Sequence, residues 1–143
     1  VVRTFSKSYS LAGMRVGYAV GPAPLIHALY KIKDSYNVSR LAQVLGLAAF
    51  RDEAWMRANV EKIRATRARL TSALEDLGYR VYPSEANFVW TRPPDRPAEE
   101  VFEHLRRNRV LVRYFPGPRT GACLRISIGT DEQIDRLLDV LRS

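Results

Sequence analysis

Cysteine is nearly absent from this chain. Cys123 is the single one among 143 residues, so no internal disulfide framework is available and a reducing compartment is expected. Its neighbours Ala122 and Leu124 suggest a core strand, where it acts as a small hydrophobe rather than a nucleophile. Histidine is scarce as well. His27 and His104 fall on separate predicted helices without a ligand partner at metal spacing, and no metal site is expected. Long apolar runs are missing too, and nothing approaches the roughly 20 residues that a membrane span requires. The strand-like opening Val1-Val2 does not read as a leader, so the expected location is cytoplasmic. No internal repeat or low-complexity segment is visible.

Acidic residues are in deficit, 15 against 23 Lys+Arg, for a net charge of +8. Such an excess raises the question of a nucleic-acid partner. The densest basic run, Arg64, Arg67 and Arg69, has no interleaved aromatic platform and lies on a helix that also carries acids. A solvated helix face is the better account, and no nucleic-acid partner is expected. Basic character also suits small anionic ligands. The apolar fraction of 46% is that of a folded protein, and the length allows one domain, or one modest domain and part of another.

Patterning predicts an α/β arrangement. Val1 to Phe5 reads as a short strand and Met14 to Val20 as a second, ended by Gly21-Pro22. Pro24 starts a helix with apolar spacing to Ile32. Ser39 caps another through Phe50. A long helix runs from Asp52 to Leu77, closed by Gly78. Beyond it, short strands at 87–91, 110–114 and 123–128 alternate with helices at 97–108 and after Thr130, over one sheet.

Chemistry concentrates in Arg3-Thr4-Phe5-Ser6-Lys7-Ser8-Tyr9-Ser10-Leu11-Ala12-Gly13-Met14-Arg15-Val16-Gly17-Tyr18. A lysine flanked by hydroxyls can condense with an aldehyde. Pyridoxal 5'-phosphate (PLP) brings an aldehyde and a phosphate together, and Thr4, Ser6 and Arg15 offer that phosphate hydroxyl and guanidinium donors. A second constellation is Arg113, in Val112-Arg113-Tyr114-Phe115-Pro116, with Arg125, in Leu124-Arg125-Ile126-Ser127-Ile128-Gly129-Thr130. An arginine among apolar strand residues is costly unless an anion or a partner satisfies it. The two either converge as a clamp for a carboxylate or phosphate, or each pairs at a sheet edge with a carboxylate such as Glu85 or Asp131.

The Lys7 string resembles the lysine segment of fold-type I PLP enzymes, most closely the histidinol-phosphate aminotransferase family. Both arginine strings resemble that family as well. The resemblance implies that Lys7 is the Schiff-base lysine and that Thr4, Ser6 and Arg15 hold the cofactor phosphate. It implies that Arg125 binds the amino-acid carboxylate and helps hold the substrate phosphate, and that Arg113 contacts that phosphate. By the same resemblance, residues 1–50 are the end of a large PLP-binding domain, 51–78 a bridging helix and 79–143 a small α/β domain. The implied substrates are histidinol phosphate with glutamate and 2-oxoglutarate, in a homodimer. Alternatives are an aromatic or general amino-acid aminotransferase, a threonine-phosphate decarboxylase relative, or a non-catalytic binding or scaffold module. Only six residues precede Lys7, whereas the family's ring-stacking aromatic, its acid for the pyridine nitrogen and its glycine-rich turn come earlier. A C-terminal fragment, inactive alone, is therefore expected. Tyr36, Asn37 and Asn87 match family positions but stand outside the expected catalytic set.

Overall fold

A computed structural model describes residues 1–143. Its elements are β1 (Val2–Thr4), β2 (Gly17–Ala19), α1 (Ala23–Ile32), α2 (Arg40–Arg51), α3 (Glu53–Asp76), β3 (Arg80–Tyr82), β4 (Phe88–Arg92), α4 (Ala98–Arg107), β5 (Arg113–Tyr114), β6 (Leu124–Ser127) and α5 (Asp131–Arg142). They form two compact units, Val1–Val60 and Glu61–Ser143. The boundary between them falls inside α3.

Local chemistry accounts for the helix limits. Ser39 Oγ accepts from the Ala42 backbone N–H at 3.2 Å, and Asp52 Oδ1 accepts from that of Trp55 at 3.3 Å, each satisfying a donor that the first turn leaves orphaned. Gly78 ends α3 at φ +79°, a left-handed geometry for which glycine carries no Cβ penalty. Thr130 and Gln133 form a reciprocal capping box at the start of α5. No helix is long and apolar enough to cross a membrane.

In the first unit, β1 and β2 make an antiparallel pair with Thr4 opposite Gly17. Phe5 is buried and packs against Tyr9 and Phe50, with ring centroids 4.8 and 6.5 Å away. The second unit holds a four-stranded sheet of order β3-β4-β6-β5, antiparallel at every ladder. Strand alternation splits its two faces. Val89, Leu124 and Ile126 point into a core with Leu70 and Leu74 of α3, Val101 and Leu105 of α4, and Ile134, Leu137 and Leu138 of α5. Phe88, Trp90 and Arg125 occupy the other face.

Two expectations about strands need correction, and one strand was not foreseen. The strand foreseen at Met14–Val20 shrinks to Gly17–Ala19, because Ala12–Met14 coils into a 3-10 turn and Arg15 adopts φ +54°. The strand foreseen at 110–114 keeps only Arg113 and Tyr114 in a ladder. The Val110 N–H turns back to the Leu105 carbonyl at 2.9 Å, closing α4 instead of joining the sheet. The opposite happens at Arg80–Tyr82, where a strand forms beside Pro83 that hydrophobic patterning did not single out.

Candidate active site

Phe5 organises the Lys7 segment. Its backbone N–H donates to the Val16 carbonyl and its carbonyl accepts from the Leu11 N–H, both at 3.0 Å. Residues 6–15 are therefore held as a loop pinned at one buried aromatic. Within it, Thr4 Oγ1 donates to Ser6 Oγ at 2.9 Å, and the Ser6 backbone N–H donates back to Thr4 Oγ1 at 3.0 Å. Arg15, two residues before β2, has one guanidinium N–H on the Ala12 carbonyl at 3.0 Å. Thr4, Ser6 and Arg15 line one open cleft of about 420 Å³, together with Val2, Arg3, Val16 and the residues of β2. No acid lines it. Lys7 is exposed and stands in the next turn, with its carbonyl accepting from the Ser10 N–H at 2.9 Å. It is not among the residues that line the cleft.

Arg113 and Arg125 are brought face to face. They are direct partners across β5 and β6, and Trp90 is the partner of Arg125 across β4. Neither arginine has a carboxylate. Glu85 is taken by Arg67 at 2.6 Å, and Asp131 by Arg69 at 3.1 Å and by the Thr66 hydroxyl at 3.0 Å. The sheet-edge pairing with Glu85 or Asp131 is thereby excluded. The company of the two guanidiniums is aromatic instead. Phe115 lies 5.4 Å from Arg113 Cζ and 5.5 Å from Arg125 Cζ, and Phe88 lies 5.5 Å from the latter. Arg125 Nε is buried without a hydrogen-bond partner. An unsatisfied buried donor of this kind calls for an acceptor that the protein itself does not supply.

Comparison with known proteins decides the family. The family described as "Aminotransferase class I and II" matches residues 1–141. The chain belongs to it. A histidinol-phosphate aminotransferase from Acetobacter pasteurianus is 52% identical over 99% of this chain and 41% of its own length. One from Synechocystis is 49% identical over 100% of this chain and 41% of its own. The crystal structure of histidinol-phosphate aminotransferase from Sinorhizobium meliloti in complex with pyridoxal-5'-phosphate superposes with a TM-score of 0.83. It is 30% identical, over 99% of this chain and 40% of that one. The chain thus spans about two fifths of the length of the aminotransferases it matches. The fold-type I assignment made from the Lys7 and arginine strings stands.

For an aminotransferase, the donor set around Thr4 fits a phosphate. Two hydroxyl residues and an arginine line a cleft without acids, the chemistry that charge-assisted binding of an anion needs. The remaining sequence candidates have ordinary roles. The Asn87 carbonyl accepts from the Ile128 N–H at 2.9 Å, Asn37 Oδ1 accepts from Lys33 at 3.3 Å, and Tyr36 is exposed. His104 Nε2 lies 3.0 Å from the Val140 carbonyl. Cys123 is free and buried, and no group of His, Cys, Asp or Glu is placed to hold a metal. The sequence reading missed Phe5, Phe88, Trp90 and Phe115. The signal was the two-residue alternation Phe88-x-Trp90 and Arg113-x-Phe115, but it acquires meaning only once the strand neighbours are known.

Proposed function

We propose that the protein carrying this chain is a PLP-dependent aminotransferase that exchanges the amino group of histidinol phosphate with 2-oxoglutarate, forming glutamate. The observation that carries the substrate choice is the cross-strand pair Arg113–Arg125, which has no acid partner and leaves Arg125 Nε unsatisfied. The names of the most similar relatives support the same reading.

In this reading Thr4, Ser6 and Arg15 would hold the cofactor phosphate, and Lys7 Nζ would be the amine that anchors the cofactor through its aldehyde. PLP, when bound, supplies the electron sink that stabilises negative charge at the substrate α-carbon. Lys7 is exposed on its turn, and its amine would be the group that moves a proton to and from that α-carbon. Arg125 takes the carboxylate of glutamate or 2-oxoglutarate and helps with the phosphate of histidinol phosphate, and Arg113 takes that phosphate, each by charge-assisted hydrogen bonds. We further propose residues 1–50 as part of the PLP-binding domain, 51–78 as a bridging helix and 79–143 as the small domain. A homodimer working in the cytoplasm completes the reading.

The test compares catalytic efficiency for histidinol phosphate and for its dephosphorylated analogue in the full-length protein. Losing one charge-assisted contact to a desolvated anion costs roughly 1.5–3 kcal/mol, or about 10- to 150-fold. Arg113→Ala should lower the phosphorylated-to-dephosphorylated ratio by that factor and spare glutamate, whereas Arg125→Ala should impair both substrates. An unchanged ratio in Arg113→Ala would move the assignment to an aromatic or general amino-acid aminotransferase.

A further inference from the structure

We infer that Phe115 is the positioning residue that holds Arg113 and Arg125 ready for a dianion. This inference rests on the phosphorylated substrate proposed above, and it concerns how the two arginines are kept in place beforehand.

The difficulty is electrostatic. Two like charges directly opposite each other on adjacent strands destabilise the pairing, and β5 contributes only two residues to its ladder. A carboxylate between them is the usual remedy, yet no ion pair of the protein includes Arg113 or Arg125. What lies against both is the ring of Phe115, at 5.4 and 5.5 Å from the two Cζ atoms. Those distances are inside the roughly 6 Å at which the negative face of an aromatic ring attracts a cation. Phe115 itself is braced by Trp90, with ring centroids 6.2 Å apart.

The choice of a ring over an acid has a chemical consequence. A carboxylate would occupy guanidinium N–H groups and repel an incoming phosphate. A ring attracts the cation while consuming no N–H, so the donors stay available for phosphate oxygens. Arg125 has a second ring, Phe88, at 5.5 Å, whereas Phe115 is the one ring against Arg113. Loss of the Phe115 ring therefore falls mainly on Arg113, the arginine assigned to the phosphate alone.

The experiment is steady-state kinetics on the full-length holoenzyme with Phe115→Leu, Phe115→Met and Phe115→Tyr, with inorganic phosphate as a competitive probe. Removing two cation–π contacts of ordinary surface strength should raise the KM for the phosphorylated substrate about 5- to 30-fold. The inhibition constant of phosphate should rise in step, and the glutamate KM should rise less. Phe115→Tyr keeps the ring and should recover both constants to within about 3-fold of wild type. A merely structural role would move both substrates together and would not distinguish Tyr from Leu. That pattern, or Leu and Met variants that bind phosphate like wild type, overturns the inference. If Arg113→Ala changes the phosphorylated-to-dephosphorylated ratio while the ringless Phe115 variants do not, this inference alone falls. If Arg113→Ala leaves the ratio unchanged, the substrate assignment falls and takes this inference with it.

Discussion

Gly17 offers the sharpest structural handle on the proposed cofactor cradle. It faces Thr4 across the β1–β2 ladder, and a Cβ added there would sit 2.7 Å from the Arg3 carbonyl oxygen. Ordinary van der Waals contact begins at 3.4 Å, so the strands must open by about 0.7 Å, against backbone that has no rotamer to yield. The displaced carbonyl belongs to the peptide that leads into Thr4, and Thr4 in turn fixes Ser6 through two hydrogen bonds. Overpacking of this kind costs roughly 1–3 kcal/mol. If that cost falls on the cradle, Gly17→Ala in the full-length protein weakens PLP binding by about 5- to 150-fold. Gly13 is the control, since a Cβ there meets nothing within 4 Å, and Gly13→Ala should stay within about 2-fold of wild type. The assay is titration of the cofactor-free protein with PLP, followed by absorbance, with circular dichroism to establish that both variants are folded. A folded Gly17→Ala protein with wild-type PLP affinity would refute the placement of the phosphate between β1 and Arg15.

Other outcomes follow from the same geometry. Borohydride treatment of the full-length holoenzyme should fix PLP onto the peptide containing Lys7, and Lys7→Ala should hold the cofactor only reversibly and lose turnover. Mass spectrometry placing the adduct on Lys31, Lys33 or Lys62 would end that assignment. Thr130→Ala removes one arm of the α5 capping box and should cost about 0.5–2 kcal/mol in urea unfolding. Burial raises the pKa of the Tyr79 phenol, partly offset by Arg96. The unfolded chain then ionises first, near pH 10, so this contribution to stability is complete below that pH and is lost as pH rises further. Tyr79→Phe should flatten the alkaline fall in unfolding free energy, and an unaltered alkaline limb would count against the assignment.

The helices were legible because their limits are local events. Ser39, Asp52, Gly78 and Thr130 each act on backbone within four residues, and each marks a boundary that the structure keeps. The strands were less so. Val110, Leu111 and Val112 have strand composition, yet the positive φ of Arg109 and the bond from Val110 back to Leu105 divert them before they reach the sheet. β-Propensity reports what fits a pleated surface, and such a surface exists only where a neighbour supplies it. The same limit applies to the two arginines. Each was visible as an unusual residue in an apolar run, but whether Glu85 or Asp131 would neutralise them depended on Arg67 and Arg69. Those residues of α3 claim both acids from 18 and 62 positions away.

The brevity of β5 also constrains how this part of the chain can change over generations. Arg113 and Tyr114 are its only ladder residues, and side chains alternate between faces with period two. Deleting one residue just before Arg113 would bring the chain forward by a single step. Tyr114 would then stand opposite Arg125, and Arg113 would turn toward the helices of the core. Substitutions in this strand can be gradual, but a single-residue gain or loss abolishes the pair at one stroke. Length drift should therefore collect in the turn from Pro116 to Gly121, where it can be absorbed without reversing the faces, while the spacing from Asn108 to Phe115 stays constant among homologues that retain both arginines.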